Sequence, residues 1–137
     1  MDKHIEILLK QLEKAKTEKE MLAIFEENMS AHECPDELIH EIQHLTDAHI
    51  QQAQMKEALP YAQLLTFLRP THDRFWILLG MLYMHLEHYE RALLVLGTAS
   101  IINVANPTPE YMACVCLKKL GRLEEAELSL ERANNII

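Results

Sequence analysis

Glycine and proline are scarce in this chain of 137 residues, with three of the first and five of the second. No stretch keeps up the apolar–polar alternation of a half-buried strand, so a β-rich fold is excluded. No long basic run is present and the formal net charge is -8. That balance argues against nucleic acid or an anionic membrane surface as a partner. The three cysteines, Cys34, Cys114 and Cys116, are odd in number and form no C-x-x-C, which fits reduced thiols rather than a disulfide framework. The longest apolar run, Phe75 to Met84, is about half of what a membrane span requires. The charge-laced beginning, MDKHIEILLKQLEKAKTEKEM, has no apolar segment of the secretory type. A soluble intracellular protein is therefore expected. Phosphate-cradling glycine loops and the G-x-S-x-G nucleophile turn are missing too, and no enzyme, cofactor or metal is expected.

What is abundant is Leu, Glu, Ala, Met, Lys and Gln, all strong helix formers, and about half the residues are apolar. An all-α domain with a real core follows. Residues 1–34 are expected to form a helical leader. Ile5, Leu8, Leu9 and Leu12 recur at helical spacing, and Thr17 and Glu20 make a capping-box pattern ahead of Leu22, Phe25 and Met29. Two short helices or one bent one would satisfy this. Pro35-Asp36-Glu37 marks a new helix start, with proline in the first turn and acids near the positive end of the helix dipole.

From residue 35 to 137 the chain repeats itself. LEHYERALLVLGTA (86–99) aligns with LGRLEEAELSLERA (120–133): Glu90 with Glu124, Ala92 with Ala126, Leu96 with Leu130 and Ala99 with Ala133, every pair separated by the same interval. One further step back, Met55, Ala58, Ala62 and Leu65 occupy the same slots. Small residues that return at one slot mark a close helix crossing, where a larger side chain would push the helices apart. Trp76, Leu79, Gly80 and Tyr83 read W-x-x-L-G-x-x-Y. The pattern and its period resemble the tetratricopeptide repeat, a pair of helices stacked on the next pair. Three such pairs are expected, at about 39–72, 73–106 and 107–137. Together they would form an α-solenoid preceded by the N-terminal helices. The first copy is degenerate at its front, with Ile42, Leu45, Thr46 and His49 in the signature slots, and the third has Cys114 in the small one.

At about 100° per residue, the first helix of the middle repeat has two apolar faces. Trp76, Leu79, Gly80 and Tyr83 share one, while Arg74, Ile77, Met81, Met84 and His85 share the other. The resemblance implies that this second face lines a concave groove that binds partner peptides. The matching slots are Thr108, Tyr111, Val115 and Lys118 in the third repeat and His40, Gln43, Asp47 and Ile50 in the first. Such a groove would be apolar in the middle, polar at one end and basic at the other. Methionine suits a surface that must accept varied apolar side chains. The alternative is that the N-terminal helices fold back and fill the groove.

One stretch points to different chemistry. HEIQH (40–44) matches the H-E-x-x-H of zinc peptidases, with His40 and His44 as ligands and Glu41 as the base on metal-bound water. A third ligand is needed. Asp47 and Ile50 stand where an extended zinc motif would have Gly and His, His49 falls one residue early, and Glu57 begins a repeat's second helix. A zinc hydrolase through His40, Glu41 and His44 therefore stays a remote alternative.

The stretch from His72 to Leu120 carries the Phe75-Trp76 start, Tyr89-Glu90-Arg91-Ala92-Leu93 and a connector from Ile101 to Pro107. It resembles the class II chaperones of bacterial type III secretion, and needle or early-substrate chaperones are close relatives of these. That resemblance implies a bacterial cytoplasmic chaperone, related to virulence, whose groove holds an apolar segment of a secreted translocator. It also implies N-terminal helices that mediate a homodimer or a co-chaperone contact. A general tetratricopeptide adaptor for protein–protein interaction is the second reading.

Overall fold

The computed structural model describes residues 3–28 and 33–136, and every regular element among them is a helix. α1 (Lys3–Lys14) buries Ile5, Leu8, Leu9 and Leu12, the stripe that its periodicity predicts. α2 (Glu18–Asn28) begins at a variant of the capping box. The Glu20 amide donates to Thr17 Oγ1 at 3.2 Å, but the Glu20 carboxylate accepts from the amide of Lys16, at 2.8 Å, rather than from that of Thr17. Met21 and Phe25 are the buried pair of α2, while Leu22 is half-buried and Met29 lies outside the described residues.

The six helices of the repeats lie where the repeat register puts them. They are α3 (Asp36–Gln51), α4 (Met55–Leu68), α5 (Asp73–His85), α6 (Tyr89–Ile102), α7 (Thr108–Lys119) and α8 (Leu123–Asn134). The chain divides into two compact units, Met1–Pro70 and Thr71–Ile137. In the first, α3 packs on α4, α4 on α2 and α2 on α1. The leader thus groups with the first helix pair instead of standing apart from all three. The reason lies in α4, which buries residues all round, from Ala58, Pro60 and Tyr61 to Leu64, Leu65 and Leu68. A helix of that kind needs neighbours on more than one side. In the second unit each helix from α5 to α8 packs on the next, and α5 also touches α7.

The repeat is also written in the backbone. Ala53, Glu87 and Gly121 hold the same slot in successive copies, and their φ angles are 59°, 61° and 76°. After each, an amide closes the turn onto an earlier carbonyl: Gln54 onto His49 at 2.8 Å, His88 onto Tyr83 at 2.8 Å and Arg122 onto Leu117 at 2.9 Å. These are three copies of one Schellman cap, which favours glycine at the left-handed position. Only the third copy has it. Glu87→Gly should therefore stabilise the second unit by about 0.5–1 kcal/mol, seen as a raised denaturation midpoint, and Gly121→Ala should lower it by a similar amount.

Helix spacing within a pair is set by small residues. Ala58, Ala92 and Ala126 share one slot and are wholly buried. A Cβ on Gly80 would come within 2.7 Å of Leu96 Cδ2 and 2.9 Å of its Cγ, so α5 and α6 meet there at the limit of approach. In the first pair Thr46 takes the Gly80 slot and hides its hydroxyl by donating to the Ile42 carbonyl at 2.8 Å.

Candidate functional site

The predicted groove residues fall on two surfaces, one on α3 in the first unit and one on α5 and α7 in the second. On α3, the burial of Leu38, Ile39, Ile42 and Thr46 leaves the opposite side in water. His40, Gln43, His44 and Asp47 line an open depression of about 240 Å3 there, and all four are exposed. His44, which is not among the predicted groove residues, joins the other three, because residues 40, 43, 44 and 47 recur at the helical period. Ile50 is half-buried at the end of the helix. The leader leaves this depression open: α2 lies against α4.

That arrangement also bears on the H-E-x-x-H stretch. Glu41 is half-buried and does not line the depression with the two histidines. Among the described residues no three His, Cys, Asp or Glu side chains come together as a metal-binding group. His49 is engaged elsewhere. Its ring stacks on Tyr61 with centroids 5.7 Å apart, and its Nδ1 lies 2.7 Å from Gln54 Oε1. His49 stands one repeat before Tyr83, so the first copy keeps a ring in its aromatic slot. Tyr61 is itself buried, and burial followed by the nearby Glu13 charge pushes its hydroxyl pKa up.

On α5, Ile77, Met81 and Met84 form one half-buried stripe, with Arg74 and His85 exposed. The helix's buried side is Phe75, Leu79, Gly80, Leu82 and Tyr83, while Trp76 is only half-buried. The sequence reading missed Phe75 and Leu82 as core. The signal was there in the i, i+4, i+7 spacing of Phe75, Leu79 and Leu82, but the tetratricopeptide signature drew attention to the tryptophan. On α7, Tyr111 and Val115 are exposed by 42% and 46%, far more than ordinary core, and Thr108 and Lys118 are exposed as well. Tyr111 is not loose: its hydroxyl donates to Asn134 Oδ1 at 2.9 Å, and beside it Arg132 pairs with Glu110 at 3.3 Å. The ring is thereby held by α8 while its side remains open. Ile77 and Met81 recur one repeat later as Tyr111 and Val115. Two partly exposed apolar stripes thus occupy equivalent slots on two helices that touch.

The cysteines belong to the packing. Cys114 clusters with Leu117 and Ala126, against Leu93, and Cys116 is fully buried as well. Two residues apart, they face different sides of α7, yet both are covered because α7 lies against α5, α6 and α8. Burial pushes the thiols of Cys34 and Cys116 up, an effect that the Arg69 guanidinium partly offsets at Cys34. A buried neutral thiol is a poor nucleophile. No helix among the described residues is long and apolar enough to cross a membrane.

The tetratricopeptide repeat family matches residues 73–99, the α5–α6 pair. Among curated proteins, none matches in sequence. Solved structures are similar in fold. PcrH of Pseudomonas aeruginosa in complex with the chaperone binding region of PopD superposes with a TM-score of 0.73 at 22% identity, over 76% of this chain and 78% of that one. The Yersinia enterocolitica type III secretion chaperone SycD, in complex with a peptide of the translocator YopD, gives 0.72 at 25% identity over 76% and 79%. A point mutant of MamA gives 0.76 at 15% identity over 98% and 95%. The chain thus contains a tetratricopeptide repeat, and its all-α fold resembles that of the type III secretion translocator chaperones.

Proposed function

We propose that this chain is a non-enzymatic cytoplasmic chaperone of bacterial type III secretion. It would hold an apolar segment of a secreted translocator, or of a related export substrate, against α5 and α7, the first helices of its second and third repeats. The observation that carries the reading is the paired stripe of Ile77, Met81 and Met84 on α5 and Tyr111 and Val115 on α7. It is apolar, incompletely covered, and flanked by exposed Arg74, His85 and Lys118. The similar fold supports it, since PcrH is found in complex with the chaperone binding region of PopD and SycD with a peptide of the translocator YopD. An extended surface without a deep cavity suits a chain segment better than a small molecule.

Methionine and isoleucine would take the segment's apolar side chains, while Arg74 and Lys118 would meet carboxylates or carbonyls at the margin. The test is co-expression with the apolar secreted proteins of the source bacterium. One of them, insoluble alone, is expected to stay soluble and co-purify only when this chain is present. If none does, and the chain retains only folded partners, the protein is an adaptor and the chaperone reading fails.

A further inference from the structure

HEIQH (40–44) has no part in the stripe on α5 and α7, and folding changes its membership. Glu41 drops out of the surface that the two histidines share, and Asp47 joins it. His40 and His44 are the one pair of histidines four residues apart in the chain, and α3 runs unbroken through both. Side chains at that spacing have Cβ atoms about 5–6 Å apart on one helix face. Two imidazoles so placed can grip a single ion, which is why zinc-binding helices use this spacing. A catalytic zinc needs a third protein ligand, and no such group assembles among the described residues. A chelate that only holds its ion does not need one, because water fills the remaining positions.

Both rings are free for that task. His40, Gln43, His44 and Asp47 make no side-chain hydrogen bond or ion pair among the described residues. Other histidines are engaged: His49 with Tyr61 and Gln54, His72 stacked on Phe75 at 4.5 Å and His88 on Tyr83 at 6.3 Å. Charge favours a cation. α3 carries the acids Asp36, Glu37, Glu41 and Asp47 and neither lysine nor arginine. Among the described residues no ammonium or guanidinium lines the depression to compete with an incoming ion. Asp47 stands one turn beyond His44, where a carboxylate can accept the ring N–H that a metal-bound histidine keeps. Imidazole also selects the class of ion. Divalent zinc, nickel and copper suit it, whereas calcium and magnesium take oxygen ligands.

We propose that His40 and His44 form a two-histidine chelate for a divalent transition-metal ion on the exposed face of α3, with Asp47 orienting His44. The site holds the ion and does no chemistry on it. The inference is independent of what the α5–α7 face binds.

Calorimetric titration of the full chain with Zn2+, and separately with Ni2+, in buffer free of imidazole and chelators should show a single ion bound per chain. Ca2+ at the same concentration should not bind. His40→Ala and His44→Ala should each lower zinc affinity by at least ~10-fold, since even partners beyond a metal's own ligands govern ~10–100-fold. Asp47→Asn should weaken it several-fold, and His72→Ala should leave it unchanged. Saturating zinc should raise the melting temperature of the parent but not of either α3 histidine variant, because the two rings reach one ion only while α3 is folded. Both histidines are exposed, so each variant should keep the parent's far-UV spectrum. Absence of saturable zinc and nickel binding overturns the proposal. Binding that survives in both α3 histidine variants overturns it too, since it marks an adventitious ion only.

Discussion

Met81→Glu is expected to abolish retention of the client segment while leaving the fold intact. Met81 is half-buried in the middle of the α5 stripe, between Ile77 and Met84. A carboxylate there can stay hydrated in the free protein, so the variant should melt within a few degrees of the parent. Once an apolar segment covers it, the charge loses water and gains no partner, at a cost of several kcal/mol. Affinity should fall at least ~100-fold, which corresponds to about 2.7 kcal/mol. Met81→Leu keeps volume and apolarity and should bind within a few-fold of the parent. Titration of each variant with a labelled client segment, alongside a thermal melt, separates binding from folding. Undiminished binding by Met81→Glu would remove this face from the function altogether.

The largest effect on stability is expected at Leu96. The side chain is completely buried in α6 and presses on the missing Cβ of Gly80. Leu96→Ala should cost about 2.7–5 kcal/mol through lost burial and the cavity left behind. For a unit of this size that lowers the melting temperature by roughly 10–40 °C. Gly80→Ala combines two opposing terms. Helix propensity favours alanine by about 1 kcal/mol, but overpacking against Leu96 costs about 1–3 kcal/mol. Net destabilisation is expected, since Leu96 is enclosed on every side. In the Leu96→Ala background the clash is gone, and the same Gly80→Ala change should become stabilising. Equilibrium denaturation of the four proteins closes the cycle, and additive effects would show that the two residues are not coupled.

Periodicity carried most of the fold because each repeat helix must bury one stripe at helical spacing and cross its partner at a small residue. Ala58, Ala92 and Ala126 could therefore be read directly as crossing points. The turns were legible only in part. Gly121 announces a left-handed cap, whereas Ala53 and Glu87 adopt the same conformation without the residue that signals it. The helices on either side hold them there. The leader's position was open for a similar reason. Met21 and Phe25 declare an apolar face but not what covers it, and α4 takes that role through its own all-round burial.

For the candidate site, composition and spacing were enough to place Ile77, Met81, Met84, Tyr111 and Val115 on one kind of face, since slot identity along a repeat is a matter of helical angle. They were enough, too, to weaken HEIQH as a catalytic zinc site, because the missing third ligand shows in the letters alone. Packing decided how much of each residue stays open: Tyr111 is tied to Asn134, Trp76 yields the core to Phe75 and Leu82, and His44 joins His40 in one depression. Exposure depends on which helices come to lie beside a given face, and that depends on contacts between residues far apart in the chain. A single helix's pattern records that it has an apolar side. The arrangement of its neighbours determines whether that side becomes core or remains a surface for something else.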